Sequence, residues 1–219
     1  MVTIYPTRDA AARLLAEHLI RFRNQHPLIL AIPRGAVPMG RIVAEALGGE
    51  LDIVLVRKLG APGNPELAVG AIDETGWAYV AGFARSAGAD DAYIEATKQS
   101  QLRLLQRRRA TYTPSRAPID PSGRVAIVID DGLATGATMI AALHSVRAKG
   151  PARLVCAVPV APAECLERIR PYADEVVCLQ TPADFYAVGQ FYRDFRQVED
   201  EEVISLLAQS GTSAPERRA

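Results

Sequence analysis

Residues 125–139 read Val-Ala-Ile-Val-Ile-Asp-Asp-Gly-Leu-Ala-Thr-Gly-Ala-Thr-Met, and this run restricts the possible folds more than any other. Five apolar residues in succession, with no polar alternation, describe a strand covered on both faces, as in a parallel sheet flanked by helices. Two adjacent carboxylates follow, then small residues, then a segment that reads as a helix from about Ala137. Small residues let backbone N–H groups approach an anion closely, and a helix N-terminus adds partial positive charge. Such a loop suits a phosphomonoester. Carboxylates beside a phosphate site make chemical sense if something neutral or cationic lies between them, and sugar hydroxyls or a hydrated Mg²⁺ both qualify. The pattern therefore predicts a 5-phosphosugar ligand. No Lys follows Gly136, so this is not a Walker loop, and no Gly-x-Gly-x-x-Gly follows a strand.

The rest of the chain supplies the sheet that such a strand needs. Apolar runs at 28–32, 51–56, 152–159 and 175–179 read as further strands. Helical patterns at 9–23, 37–47, 137–149 and 162–170 alternate with them. This alternation predicts an α/β fold: a parallel twisted sheet of about five strands with helices on both faces. Residues 60–65 hold two Gly and two Pro and read as a loop, with 68–72 and 77–81 as a hairpin beyond it. Residues 89–112 read as a long polar helix whose Arg103, Arg107, Arg108 and Arg109 form a solvated face or a partner surface. A single domain is expected over 1–208, with a flexible tail over 209–219.

Composition narrows the function. Lys plus Arg and Asp plus Glu are each 25, a formal net charge of zero, which argues against a nucleic-acid-binding face. Cys156, Cys165 and Cys178 lack metal-ligand spacing; Cys156 and Cys178 sit in apolar runs and read as core residues, and the odd, scattered set suggests a reducing, cytoplasmic compartment. No apolar run is long enough to span a bilayer, and the first residues do not resemble a secretion signal. His18, His26 and His144 are scattered and form no Ser-His-Asp set.

Residues 125–139 resemble the binding motif for 5-phosphoribosyl pyrophosphate (PRPP) of the type I phosphoribosyltransferases: a hydrophobic run, two acids and a Thr/Gly-rich loop. The resemblance implies that Asp130 and Asp131 contact the ribose hydroxyls, with Mg²⁺ nearby through water or ribose. It also implies that Ala134, Thr135, Gly136, Ala137 and Thr138 bind the 5′-phosphate. Pro33-Arg34-Gly35, after the first strand, occupies the place of that family's pyrophosphate loop, which makes Arg34 and Gly35 candidates for the leaving group. Arg57-Lys58, after the second strand, is similar to an Arg-Lys that meets pyrophosphate in adenine and orotate phosphoribosyltransferases, and both side chains are expected to face the same mouth. Residues 60–73 look like the family's closing lid, with few apolar anchors and Glu66 as a candidate carboxylate.

Residues 184–195 hold five of the chain's twelve Phe and Tyr and are loosely similar to the hood of 6-oxopurine phosphoribosyltransferases. A hood built from the N-terminal segment and residues 180–208 is expected, with Phe185 or Tyr186 as a wall of the acceptor pocket; the competing reading puts these rings in a small aromatic core. The whole chain resembles a group of phosphoribosyltransferases of undefined acceptor. The implied activity is Mg²⁺-dependent transfer of a phosphoribosyl group from PRPP to a nitrogenous acceptor, with a nucleobase as the expected class, by a cytoplasmic homodimer that binds neither nucleic acid nor membrane. The alternatives are a regulator that binds PRPP or a nucleotide without turnover, and a PRPP-dependent hydrolase or salvage accessory.

Overall fold

The structure, a computed structural model, describes residues 2–114 and 117–209, and of Glu66 its backbone alone. The tail expected at 209–219 lies outside the described residues, save for Gln209. In chain order the elements are α1 (Arg8–His18), β1 (Leu28–Ala31), α2 (Ala36–Leu47), β2 (Glu50–Ile53), β3 (Val56–Ala61), β4 (Asn64–Asp73), β5 (Ala78–Val80), α3 (Asp91–Tyr112), β6 (Val125–Ile129), α4 (Ala137–Arg147), β7 (Arg153–Val160), α5 (Ala163–Ile169), β8 (Glu175–Gln180) and α6 (Asp200–Gln209).

The central sheet has five strands, all parallel, in the order β2-β1-β6-β7-β8. Its side chains divide between two cores with the period of two that a pleated strand dictates. On β6, Ile127 and Ile129 enter one core and Ala126 and Val128 the other; on β1, Ile29 and Ala31 oppose Leu28 and Leu30. The first core lies under α1, α2 and α6, the second under α4 and α5. Such two-sided burial explains why these strands show no alternation in sequence. The chain moves from β1 outward to β2 in one direction and from β6 through β7 to β8 in the other. The strand order therefore reverses between β1 and β6, and in sheets of this type a ligand crevice opens at that reversal, beyond the carboxyl ends.

Helix boundaries follow local chemistry. Thr7 Oγ1 accepts the Ala10 N–H at 3.2 Å to start α1, and Asp90 accepts from Tyr93 at 2.8 Å to start α3. Gly48, at φ 64°, ends α2. The single helix expected over 9–23 stops at His18, and Ile20–Phe22 form a 3-10 turn. The strand expected at 51–56 is also divided. β2 ends at Ile53 on the sheet edge, and Val56 opens a second, antiparallel sheet in the order β3-β4-β5.

That second sheet corrects the expectation that residues 60–73 are a loop with few apolar anchors. They form most of a hairpin in which Val56 pairs with Asp73 and Ala61 with Asn64, and Leu59, Val69, Ala71 and Ile72 are buried. The glycines there misled the sequence reading because they serve the strands: a Cβ on Gly60 would press on the Pro65 backbone at 2.7 Å, and Gly63 at φ 72° makes the turn.

The basic helix face is exposed at Arg103 and Arg107, as expected, and is corrected at Arg109. Arg109 is mostly buried. Its Nε and Nη2 donate to Glu74 at 2.9 and 2.7 Å, Nη2 also donates to Ile53 O at 3.1 Å, and Nη1 lies 3.6 Å from Asp52. Asp52 is 1% exposed. This cluster ties α3, the β2 edge and the β4–β5 turn together. Removing the cation would take the bidentate partner from Glu74 and the nearby charge from Asp52, whose oxygens also accept the Ile53 and Ile119 N–H groups at 2.8 Å, so Arg109→Met should destabilise the fold by about 3 kcal/mol, read as a lowered denaturant midpoint with an unchanged slope. An unchanged midpoint would show that Glu74 finds another partner.

Candidate active site

The carboxyl ends of β1 and β6 lie side by side because these strands pair in register, Ala31 with Ile129, and Ile32 N–H continues the ladder to Ile129 O at 3.0 Å. The Pro33–Gly35 turn therefore meets the Asp130-Asp131 pair in the crevice. The approach is close: a Cβ on Gly35 would collide with Asp131 Oδ2 and lie 3.2 Å from Arg8 Nε. Only glycine allows the carboxylate to rest against this turn. The Pro33–Arg34 peptide is cis.

After the acids, the loop drops into α4. Gly136 has φ 77°, the left-handed region, and a Cβ there would press on Cys165 Sγ at 2.8 Å, so both backbone and packing require glycine. Ala134 and Thr135 are exposed, Thr138 is half-buried, and Ala137 is buried against Ala71 and Ala141. Gly136 caps the 11-residue α4 without a side-chain hydrogen bond of its own; the Ala137 N–H donates to Thr135 Oγ1 at a long 3.5 Å, and the N–H groups of a helix's first turn have no partner within the helix and suit an anion. The loop has no basic side chain of its own, but Arg168 of α5 donates to Thr135 O at 3.2 Å.

The two acids differ in their partners. Asp130 Oδ1 accepts the Asp131 N–H at 2.9 Å. Asp131 Oδ2 accepts from Arg8 Nε at 2.8 Å, and Asp131 O accepts the Tyr192 hydroxyl at 2.6 Å. Burial, followed by the neighbouring Asp131 charge, pushes the Asp130 carboxyl well above the usual range, against the pull of Arg8 and Lys58. Burial also raises Asp131, and Arg8 opposes that rise. The Tyr192 phenol is raised by burial, then by the charge of Asp131.

The remaining expected residues are not all in one place. Arg57 and Lys58 do not share a mouth, because neighbours on a strand point to opposite faces. Lys58 lies opposite Ala71, which packs on Ala137 and Ala141 of α4; it is exposed and close enough to Asp130 to lower that carboxyl's pKa. Arg57 lies opposite Ile72 on the α3 face, where burial and then Arg108 lower its pKa. Arg34 Nη1 sits 3.5 Å from both Glu199 and Asp200, toward α6. Phe185 packs inward on Phe191 with ring centroids 5.3 Å apart, whereas Tyr186 is 89% exposed.

Sequence reading missed Arg8, Tyr192 and Val188. Tyr5 N–H donates to Phe191 O at 2.8 Å, and Arg193 N–H to Tyr5 O at 2.9 Å, so the N-terminal strip runs along residues 191–194 and brings Arg8 to the acids. A Cβ on Gly132 would meet Val188 Cγ1 at 2.6 Å, which seats the 3-10 turn Val188–Phe191 on the loop. The one available signal was Arg8 itself, a cation in the first turn of a helix, where the dipole disfavours it.

Burying an ionised carboxylate costs stability. With a raised folded-state pKa, Asp130 binds more protons folded than unfolded, so its contribution favours folding below about pH 4 and is lost as pH rises through the raised value. Asp130→Asn, of nearly equal size, should therefore melt higher than the parent at pH 8, with the two melting curves converging toward pH 4. A lower melting temperature at pH 8 would mean that the carboxylate is held by contacts worth more than its burial costs.

A family model for the phosphoribosyl transferase domain matches residues 3–196. The solved structure of TT1426 from Thermus thermophilus is similar at 45% identity and a TM-score of 0.80, over 95% of this chain and 99% of that one. Two Mycobacterium tuberculosis proteins, from strains CDC 1551 and H37Rv, carry the provisional name phosphoribosyl transferase. Each is 44% identical over 205 residues, which is 93% of this chain but 46% of the relative. The chain thus spans about half the length of the curated relatives it matches. With a matching model over most of its length and its acids and glycines at the sheet's reversal point, the chain belongs to the phosphoribosyl transferase domain family.

Proposed function

We propose that the protein is a Mg²⁺-dependent phosphoribosyltransferase that takes PRPP and a nitrogenous acceptor of the nucleobase class and releases pyrophosphate. The observation that carries this reading is the meeting of three parts in one crevice: paired carboxylates, the Gly35 turn pressed against them, and the open N-terminus of α4. In this reading the backbone at 134–138 and the Thr135 and Thr138 hydroxyls bind the 5′-phosphate, and Asp130 and Asp131 accept hydrogen bonds from the ribose diol. The pyrophosphate lies over Gly35. Lys58 faces it, and Arg34, whose two contacts are long and partly solvated, swings from α6 to meet it.

The acceptor nitrogen forms a bond to C1 as the C1–oxygen bond to pyrophosphate breaks, the bonding pair leaves with pyrophosphate, and the nitrogen's proton passes to solvent. Positioning and charge neutralisation supply most of the acceleration. Asp130 and Asp131 offer oxygen donors of the kind Mg²⁺ uses when it is held by one or two carboxylates and substrate phosphates, and an ion held there would supply charge to neutralise the leaving group. The N-terminal strip with residues 180–208 serves as the hood. Tyr186, with its ring in solvent, is better placed than Phe185 to stack on a planar acceptor. A homodimer belongs to the same reading, with Leu67, Val80 and Phe83, at 40, 42 and 47% exposure, as the apolar surface it would cover.

Two measurements test this. Pyrophosphate release from PRPP and Mg²⁺, assayed against a panel of bases and amines, should occur with at least one acceptor; binding of PRPP without release would favour a regulator. On the active acceptor, Lys58→Ala should lower turnover about a hundredfold, the usual worth of a charge placed at the leaving group, and Arg57→Ala should change it less than about threefold, since Arg57 faces α3. Equal losses would show that the hairpin rearranges when substrate binds.

A further inference from the structure

Arg8 stands in an unfavourable place for its helix and must be held there by something else. Its Nε donates to Asp131 Oδ2 at 2.8 Å and its Nη1 to Arg196 O at 2.7 Å. Its guanidinium lies 3.7 Å over the Phe195 ring. The Arg8 and Asp131 side chains are 12% and 15% exposed, so this pair is shielded from solvent and salt more than a surface pair would be. The contact with Asp131 is monodentate. An Arg can grip a carboxylate with two parallel hydrogen bonds, but here one donor goes to the acid and another to the C-terminal strip, and a second carboxylate oxygen remains for another donor. The ring under Arg8 belongs to a chain of aromatics: Phe195 stacks on Tyr192 at 5.0 Å, and Tyr192 meets Tyr5 in a tilted contact at 5.5 Å. Tyr192 in turn holds the Asp131 carbonyl at 2.6 Å. The same strip thus grips Asp131 by main chain and, through Arg8, by side chain.

We propose that Arg8 is a positioning residue for sugar recognition: it fixes the Asp131 carboxylate for a ribose hydroxyl and ties that fix to residues 192–196, so that the sugar-binding acid is correctly placed only when this strip is docked. The proposal rests on the sugar assignment made above. It differs from a purely structural role because the phosphate loop, at the other end of the ligand, leads into α4 and is braced by Cys165 and Arg168 of α5, whereas Arg8 is braced by Phe195 and Arg196. Loss of Arg8 should remove sugar affinity and spare phosphate affinity.

The experiment is calorimetric titration of the full chain with inorganic phosphate and with ribose 5-phosphate; the ratio of the two affinities is the sugar increment. In the parent the increment should exceed tenfold. Arg8→Gln should cut it about tenfold, the worth of one charge-assisted hydrogen bond, with phosphate affinity unchanged. Arg8→Lys, which keeps a charge beside Asp131 but cannot hold Asp131 and Arg196 together, should recover part of it. Phe195→Leu leaves Arg8 in place without its shelf and should lower the increment in the same direction, which keeps the test open if Arg8→Gln fails to fold. The inference is overturned if the increment survives in Arg8→Gln, if it grows, which would make Arg8 a competitor of the sugar, or if both ligands weaken together. A parent with no increment would sink the sugar assignment itself, a result distinct from any of these.

Discussion

Two carboxylates adjacent in sequence are held in a crevice where burial opposes their ionisation, and the surrounding structure answers that one cost. Asp130 is raised by desolvation and by its neighbour, so the fold surrounds the pair with compensation: Arg8 on Asp131, Lys58 within range of Asp130, and the Asp131 N–H on Asp130. Gly35 exists as glycine because the Asp131 oxygen takes the space of its side chain. The β1–β6 register, the reversal of strand order and the course of the N-terminal strip all converge on the same few ångströms. The proposed function, in which the site receives hydroxyl donors and a cation, would account for keeping charge where water is scarce.

The antiparallel sheet between α3 and α4 gives the site its other wall. One face, through Ala71, packs on Ala137 and Ala141 at the start of α4, which places Lys58 on the side of the loop at 134–138. The other face packs on α3, where the Tyr93 hydroxyl donates to Gly60 O at 2.9 Å and Arg109 binds Glu74. The hairpin is thereby clamped from both sides. At its far end Asp73 is fully buried, with Oδ1 accepting from Thr75 and Trp77. His144 of α4 stacks on Trp77 at 3.5 Å, so the turn of this sheet is fastened to the same helix that follows the Asp130-Asp131 loop.

Local signals were legible where one short segment carried the whole message. Val125–Ile129 announced a doubly covered strand because both of its faces are apolar, and the small residues after Asp131 announced a tight entry into α4 because the left-handed Gly136 and the close Cys165 tolerate little else. Residues whose meaning depends on a partner far along the chain could not be read. Arg8 is separated from Asp131 by 123 positions, and Arg109 from Glu74 by 35; in sequence each is one more cation on a helix. Glycine misled where it served strand crossing instead of a loop, as at Gly60 in β3.

The sequence by itself determined the parallel α/β sheet and the chemistry of one strand end, since hydrophobic period and residue size act within a few neighbours. Tertiary structure alone decided which cations stand at that end. Whether Arg57 or Lys58 faces the crevice depends on which helix packs on which side of a hairpin. Whether Arg8 or Arg34 reaches Asp131 depends on how the N-terminal strip lies along residues 191–194. Charge is directed by geometry over distances that no local pattern encodes, because a long side chain reaches whatever partner the packed elements bring within its span.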